Sequence, residues 1–116
     1  MLNNCLNKKE IKARFQANEK VCEKVMDIFS LVANKTRFRI LCALKEGDFC
    51  VNDIVDLIQM GKISNISQQL RLLSMAGIVE KRRDKKKMFY HLKDKKIRKM
   101  IGFLESNYLN VSPNKL

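Results

Sequence analysis

The 116-residue chain carries 24 basic and 12 acidic residues, one histidine and four cysteines, for a formal net charge of +12. That length supports one domain, which buries only about two-thirds of the surface its unfolded chain exposes. No uninterrupted apolar segment approaches the ~20 residues of a membrane span and no secretion signal is present, so a disulfide framework is not expected and the cytoplasm is the expected location.

Residues 1–10, MLNNCLNKKE, are polar and aperiodic and read as a flexible tail that holds Cys5. A single domain is expected over 11–108. From Ile11 to Asn34 the period is helical: Val21, Val25, Ile28 or Phe29, and Val32 form a stripe, widened by Cys22 and Met26. This is more apolar surface than one side of a lone helix needs. Thr36 is the expected N-cap of a second helix with Phe38, Ile40, Leu41 and Leu44 on its apolar face, ended by Glu46-Gly47-Asp48. Asp48 is expected to cap a third helix running from Cys50 to Gln59, where Val51, Ile54, Val55 and Ile58 recur in period. Met60-Gly61-Lys62 then offers a glycine suited to the positive φ of a sharp turn.

The fourth run sets Ile63, Ile66, Leu70 and Leu73 on one face and Ser64, Asn65, Ser67, Gln68 and Arg71 largely on the other. An acid-free polar face of this kind can meet phosphates. Gly77 closes the helix, the β-branched Ile78-Val79 begins one strand run and Met88 to Leu92 form another, with Asp84 to Lys87 at the tip between them. Asp94 is the expected cap of a last helix, in which Ile97, Met100, Ile101, Leu104 and Tyr108 recur at three- and four-residue steps; residues 109–116 read as a second flexible tail.

Charge is concentrated. Residues 81–99 hold eleven basic and two acidic side chains, so they carry nine of the twelve net charges. A solvated face is the bland reading of any lysine run. Here the cations cluster at the tip and base of a wing beside a polar helix face, where counterion release from a polyanion adds affinity.

Helix, tight turn, polar-faced helix and basic-tipped strand pair resemble the winged helix-turn-helix of the bacterial ArsR/SmtB repressors. The matching residues are RFRILCAL at 37–44, VNDI at 51–54, ISQQLRLL at 66–73, AGIVEKRRD at 76–84 and FYHL at 89–92, roughly half of the chain. SQQL, with a cysteine closing the ILC run, looks most like the thiol-redox, BigR/HlyU-like branch. The resemblance implies a mainly α fold with a small β-hairpin: four helices, two strands and a fifth helix, dimeric through the first and last helices. Such a C2 homodimer would present two reader helices to successive major grooves of a palindromic double-stranded DNA operator.

Gln suits adenine N6/N7 and Arg suits guanine O6/N7, so Gln68 and Gln69 are the expected base readers. Ser64, Asn65 and Ser67 are assigned to phosphates or water, and Arg71 to either role. Arg82, Arg83, Lys85, Lys86 and Lys87 would lie along the wing, where Arg can enter a narrow minor groove and Lys can neutralise backbone. Their contribution is affinity more than sequence. The competing assignment for each glutamine is a cap or a solvated helix side chain.

A repressor of this build needs an input. The family's zinc pattern on the last helix, started at Asp94, falls on Lys96, Asn107 and Asn110, so no ligand but Asp94 survives and no metal site or other cofactor is expected. The metalloid pattern keeps Cys50 but has Asn52 in place of its second thiol, and a soft site would need Cys5 or Cys22 brought over. In the thiol-redox branch a cysteine in the ILC position pairs with one on the last helix; Cys42 matches the first, and the last helix has none. Cys22 or Cys50 would have to substitute. The candidate sensing residues are therefore Cys42, Cys22 and Cys50, responding to an oxidant, a sulfur species or a metalloid, with Cys42 a thiolate activated by Arg37 or Arg39. The alternative is that each is a small, inert core residue.

Catalysis is not expected, because His91 lies in a strand with no carboxylate pair and no glycine-rich phosphate loop. Two other classes share the charge: a basic RNA-binding module, which lacks an exposed aromatic platform, and an interaction domain whose basic tip docks an acidic partner.

Overall fold

The computed structural model describes residues 7–109. Cα packing divides the chain into two units, residues 1–32 and 33–116. Cys5 and Asn110 lie outside the described residues.

The first unit is two helices, where the apolar period suggests one. α1 (Lys8–Ala17) begins before Ile11 because Asn7 caps it, its Oδ1 accepting from the Glu10 N–H at 2.8 Å. It stops at Asn18, whose side-chain amide donates to the Arg14 carbonyl at 2.8 Å and competes with continuation of the helix. α2 (Glu19–Val32) follows at once. Its Val21, Val25, Met26 and Phe29 are 42–59% exposed, an apolar stripe facing out of the chain.

The second unit holds the winged helix-turn-helix: α3 (Lys35–Glu46), α4 (Val51–Ile58), α5 (Ile63–Met75), β1 (Val79–Asp84), β2 (Lys87–Leu92) and α6 (Lys95–Leu104), which runs into a π-helical turn at Glu105–Leu109. The described residues thus hold six α-helices, one more than expected, because of the break at Asn18. Asn34, not Thr36, caps α3: Asn34 Oδ1 accepts from the Arg37 N–H at 2.9 Å and Thr36 falls inside the first turn. Asp48 does not cap α4, which starts at Cys50 without a side-chain cap; its carboxylate is engaged by His91 Nδ1 at 2.8 Å instead. Asp94 caps α6 as its position suggests, accepting from the Lys96 and Ile97 N–H groups.

The hairpin is antiparallel in the register Val79↔Leu92 to Asp84↔Lys87, with a two-residue tip at Lys85-Lys86. A single-residue bridge extends it: the Tyr90 N–H donates to the Phe49 carbonyl at 2.8 Å, and the Phe49 N–H returns to the Tyr90 carbonyl at 3.3 Å. The root of the wing is therefore stitched to the loop between α3 and α4.

Ile40, Leu41 and Leu44 of α3, Ile54 and Ile58 of α4, and Ile66, Leu70 and Leu73 of α5 are buried with Val79, Tyr90 and Leu92 of the hairpin. Each such aliphatic side chain contributes about 1.5–3 kcal/mol of burial. Ile97 and Ile101 of α6 belong to the same core, so the stripe expected to await a partner is largely used within the unit. The exposed apolar side chains of this last segment are Phe103 and Tyr108, in edge-to-face contact at 6.5 Å. Arg98 ties α6 down by donating to the carbonyls of Lys45 (3.0 Å) and Leu92 (2.9 Å), and Lys45 pairs with Glu105 at 3.0 Å.

α4 ends on Gln59 in left-handed backbone (φ 49°), and two glycines flank the reader helix, Gly61 in the turn before α5 and Gly77 just after it. Both Gly61 (φ 79°) and Gly77 (φ 77°) sit in left-handed backbone, where an L side chain costs about 1–2 kcal/mol. A Cβ on Gly61 would also lie 2.9 Å from Asn65 Nδ2, whereas one on Gly77 meets nothing within 4 Å. Urea unfolding should therefore show both Gly61→Ala and Gly77→Ala destabilised, with Gly61→Ala the worse of the two. Equal midpoints would mean that the Asn65 contact carries no cost.

Candidate nucleic-acid interface

The helix α5 presents two chemically distinct faces because its apolar residues recur at four- and three-residue steps. Ile66, Leu70 and Leu73 are fully buried, while Ser64, Ser67, Gln68 and Arg71 are exposed on the opposite side. No acidic residue lies in its first turn, and Lys62 at the N-cap makes no side-chain cap bond. The positive end of the helix dipole and its unpaired N–H groups are therefore left for an anion.

Asn65 and Gln69 differ from their neighbours: both are half-buried, and they are bonded to each other and to α3. Gln69 Oε1 accepts from Arg37 Nη1 at 2.7 Å, and Gln69 Nε2 donates to Asn65 Oδ1 at 3.3 Å. Gln68 has its polar end in the open, whereas Gln69 has part of its hydrogen-bonding capacity already used.

Along the wing, Arg83, Lys85, Lys86 and Lys87 are exposed, and no ion pair holds them among the described residues. Lys85 takes a positive φ of 58°, which throws the tip outward in a conformation uncommon for a lysine. Arg82 stands apart from them. Its guanidinium is held by Glu80 at 2.9 Å and lies 4.0 Å from Asp48, so part of its charge is neutralised within the protein.

Lys81, not singled out by sequence, closes the space between reader and wing. Its ammonium lies 5.9 Å from the Tyr90 ring centroid, and with Ser67, Arg71 and Ser74 it lines a groove of about 580 Å³. Two cations, Arg71 and Lys81, and the exposed Ser67, with no acid in the lining, make this groove attractive to a phosphate. Arg37 and Lys81 were missed for different reasons. Arg37 reaches α5 across 32 residues of sequence, which no local pattern encodes. Lys81 was visible in the basic run, and its strand register opposite Tyr90 distinguishes it.

The three cysteines among the described residues are free thiols. Cys22 is exposed in the first unit; Cys42 and Cys50 are half-buried free thiols in the second. Burial, then the neighbouring Glu105 carboxylate, pushes the Cys42 thiol up from 9.0 to about 12, with Lys45 pulling only weakly the other way. The expected activation of Cys42 by Arg37 or Arg39 is thus reversed: the guanidinium of Arg37 is turned to Gln69 and that of Arg39 to the Ile58 carbonyl at 3.3 Å. Lys45 is itself raised by its hydrogen bond to Glu105. Among the described residues, no group of three or more His, Cys, Asp or Glu side chains converges to hold a metal ion, and no helix is long and apolar enough to cross a membrane.

Residues 34–81, from the cap of α3 into β1, match the family model described as bacterial regulatory protein, arsR family. The chain is 34% identical over 86 residues to the biofilm growth-associated repressor of Xylella fastidiosa, covering 74% of this chain and 75% of that protein. In structure it is similar to the transcriptional repressor BigR from Xylella fastidiosa (TM-score 0.72, 31% identity, 80% of this chain and 94% of that one). Reduced HlyU from Vibrio cholerae N16961 is equally near (TM-score 0.74, 29% identity, 80% and 97%). The split burial of α5, the basic wing and these likenesses lead to one conclusion: the chain belongs to the arsR family of bacterial regulatory proteins, in its BigR/HlyU-like branch, and is a DNA-binding transcriptional regulator of winged helix-turn-helix build, not an enzyme.

Proposed function

We propose that the protein is a homodimeric repressor that binds a palindromic operator in the cytoplasm and is released by an inducer. The observation that carries the reading is the exposed, acid-free face of α5 beside an unpaired cationic wing tip. Ser64, Asn65 and Ser67 and the N-terminus of α5 serve the phosphates, and Gln68 and Gln69 read bases, with Arg71 able to do either. Arg83, Lys85, Lys86 and Lys87 hold the backbone beside the groove, with Arg82 a weaker participant because of Glu80. The relative of Xylella fastidiosa is named a repressor, which supports the sign of regulation.

Gel-shift titrations of a selected duplex and a scrambled one separate these roles. Gln68→Ala should cost about ten-fold on the selected duplex and little on the scrambled one. Lys86→Ala should weaken both alike and reduce the salt slope by about 1. The reader assignment fails for Gln68 if its variant loses equally on both duplexes.

Dimerisation is the proposed use of the outward stripe Val21, Val25, Met26 and Phe29 of the first unit, and Phe103 and Tyr108 are a separate exposed apolar pair of the second. Burying these groups against their copies would remove an apolar surface that water otherwise has to cover. Phe29→Glu should convert a dimer to a monomer in sedimentation experiments and weaken binding to a two-half-site duplex more than to a half-site. A variant that remains dimeric would exclude this face.

For release we favour oxidation or persulfidation of a thiol over a thiolate metalloid site, since no cluster of ligands supports the latter among the described residues. The protonated, half-buried Cys42 is a poor nucleophile: with a pKa of about 12, only about one thiol in ten thousand is ionised at pH 8. Cys22 is exposed in the single chain but shares the stripe proposed for dimerisation, so it is the first point of attack in a monomer, with Cys50 next. Alkylation of the monomeric Phe29→Glu variant at pH 8, followed by peptide mass spectrometry, should label Cys22 rapidly and Cys42 slowly, and Cys42 labelling should rise about ten-fold per pH unit as the proton is lost. Rapid labelling of Cys42 at pH 8 would return it to the centre of the sensing mechanism.

A further inference from the structure

A glutamine amide can accept two hydrogen bonds at Oε1 and donate two from Nε2. Gln69 has committed one of each inside the second unit, to Arg37 at 2.7 Å and to Asn65 at 3.3 Å. A guanidinium only donates, so Arg37 dictates which end of the amide turns toward α3; the opposite flip would set N–H against N–H. Asn65 is oriented in turn. Its Oδ1 faces Gln69, and its Nδ2 lies against the turn before α5, where a Cβ on Gly61 would approach to 2.9 Å. Arg37, Gln69 and Asn65 therefore link α3 to α5.

We propose that Arg37 is a positioning residue for base recognition: by clamping the Gln69 amide in one orientation, it leaves one acceptor and one donor fixed for the N6 and N7 edge of an adenine. The inference rests on the DNA-binding reading above and goes beyond it by giving specificity to a residue outside the reader helix. An unclamped amide samples two flips about its last torsion, and one of them presents an acceptor where the base needs a donor. The short, charge-assisted bond from Arg37 removes the wrong flip before DNA arrives, and preorganisation of this kind sharpens discrimination without adding a contact. The rival role for Arg37 is a plain phosphate contact, which would carry affinity for any sequence.

Selection from a random-sequence duplex library by the full-length wild type, Arg37→Ala, Arg37→Lys and Gln69→Ala decides between them, followed by titration of the wild-type consensus and a scrambled duplex at several salt concentrations. Arg37→Ala and Gln69→Ala should lose preference at the same base pair of each half-site, by about ten-fold, with the salt slope unchanged. Arg37→Lys, which keeps a charge and a donor, should recover part of that preference. In DNA-free, nitrogen-15-labelled protein, the Gln69 side-chain amide peaks should move in Arg37→Ala, and thermal melting should confirm that the variant is folded.

The proposal is overturned if Arg37→Ala selects the wild-type consensus. It is equally overturned if that variant weakens consensus and scrambled duplex alike with a salt slope shallower by about 1, or if Gln69→Ala leaves every base preference intact. Should Arg37→Ala fail to fold, Arg37→Lys decides alone: full wild-type discrimination with unmoved Gln69 amide peaks overturns the clamp, and reduced discrimination with moved peaks supports it. A wild type that enriches no duplex removes the DNA-binding reading itself, a result distinct from all of these.

Discussion

Everything the second unit offers to a nucleic acid depends on how α5 is seated. Ile66, Leu70 and Leu73 are fully buried among Ile40, Leu41, Leu44 and Ile54, and this seam fixes the helix's rotation about its own axis. Rotation matters because residues four apart share a face, so a turn of one residue would bury Asn65 and Gln69 and expose Leu70. The apolar seam thus selects which side chains face outward. Burial of three aliphatic side chains, at about 1.5–3 kcal/mol each, outweighs anything the polar face contributes to folding. The outward face is consequently free to be chosen for recognition.

Electrostatics is layered on that frame with little internal cancellation at the tip. Glu80 and Asp48 hold Arg82 near the root of the wing, whereas Arg83 and the three lysines beyond it remain in water. Charge of this kind, screened by salt beyond about 8–10 Å, favours encounter and grip over sequence choice. Sequence choice falls instead to the glutamines, and they are not equivalent. Gln68 is exposed; Gln69 is oriented by α3.

Much of this was legible in the residues because it is local. Periodic apolar positions located α3 to α6, Gly61 and Gly77 marked the turns, and the alternation around Met88 to Leu92 gave the second strand. What was missed lies in competition between local options or in contacts between distant residues. Asn18 breaks a helix that the apolar period carries straight through, because the side-chain amide takes a helical carbonyl. Asn34 wins the cap over Thr36, two residues on, and Asp48 forgoes a helix end for His91, a partner 43 residues away. The Arg37–Gln69 bond and the Glu105 carboxylate beside Cys42 are invisible to any window along the chain. Burial, with that carboxylate second, reverses the expected chemistry of the thiol.

The Phe49–Tyr90 bridge has a consequence for how such a protein can change. Because the hairpin is anchored at its base by main-chain atoms, its attachment is indifferent to the side chains at its far end. Residues 83–87 can therefore vary in number of cations over evolutionary time without tilting the scaffold. Grip strength and address can drift separately, so a lineage could retune occupancy of its target sites while leaving the code it reads untouched.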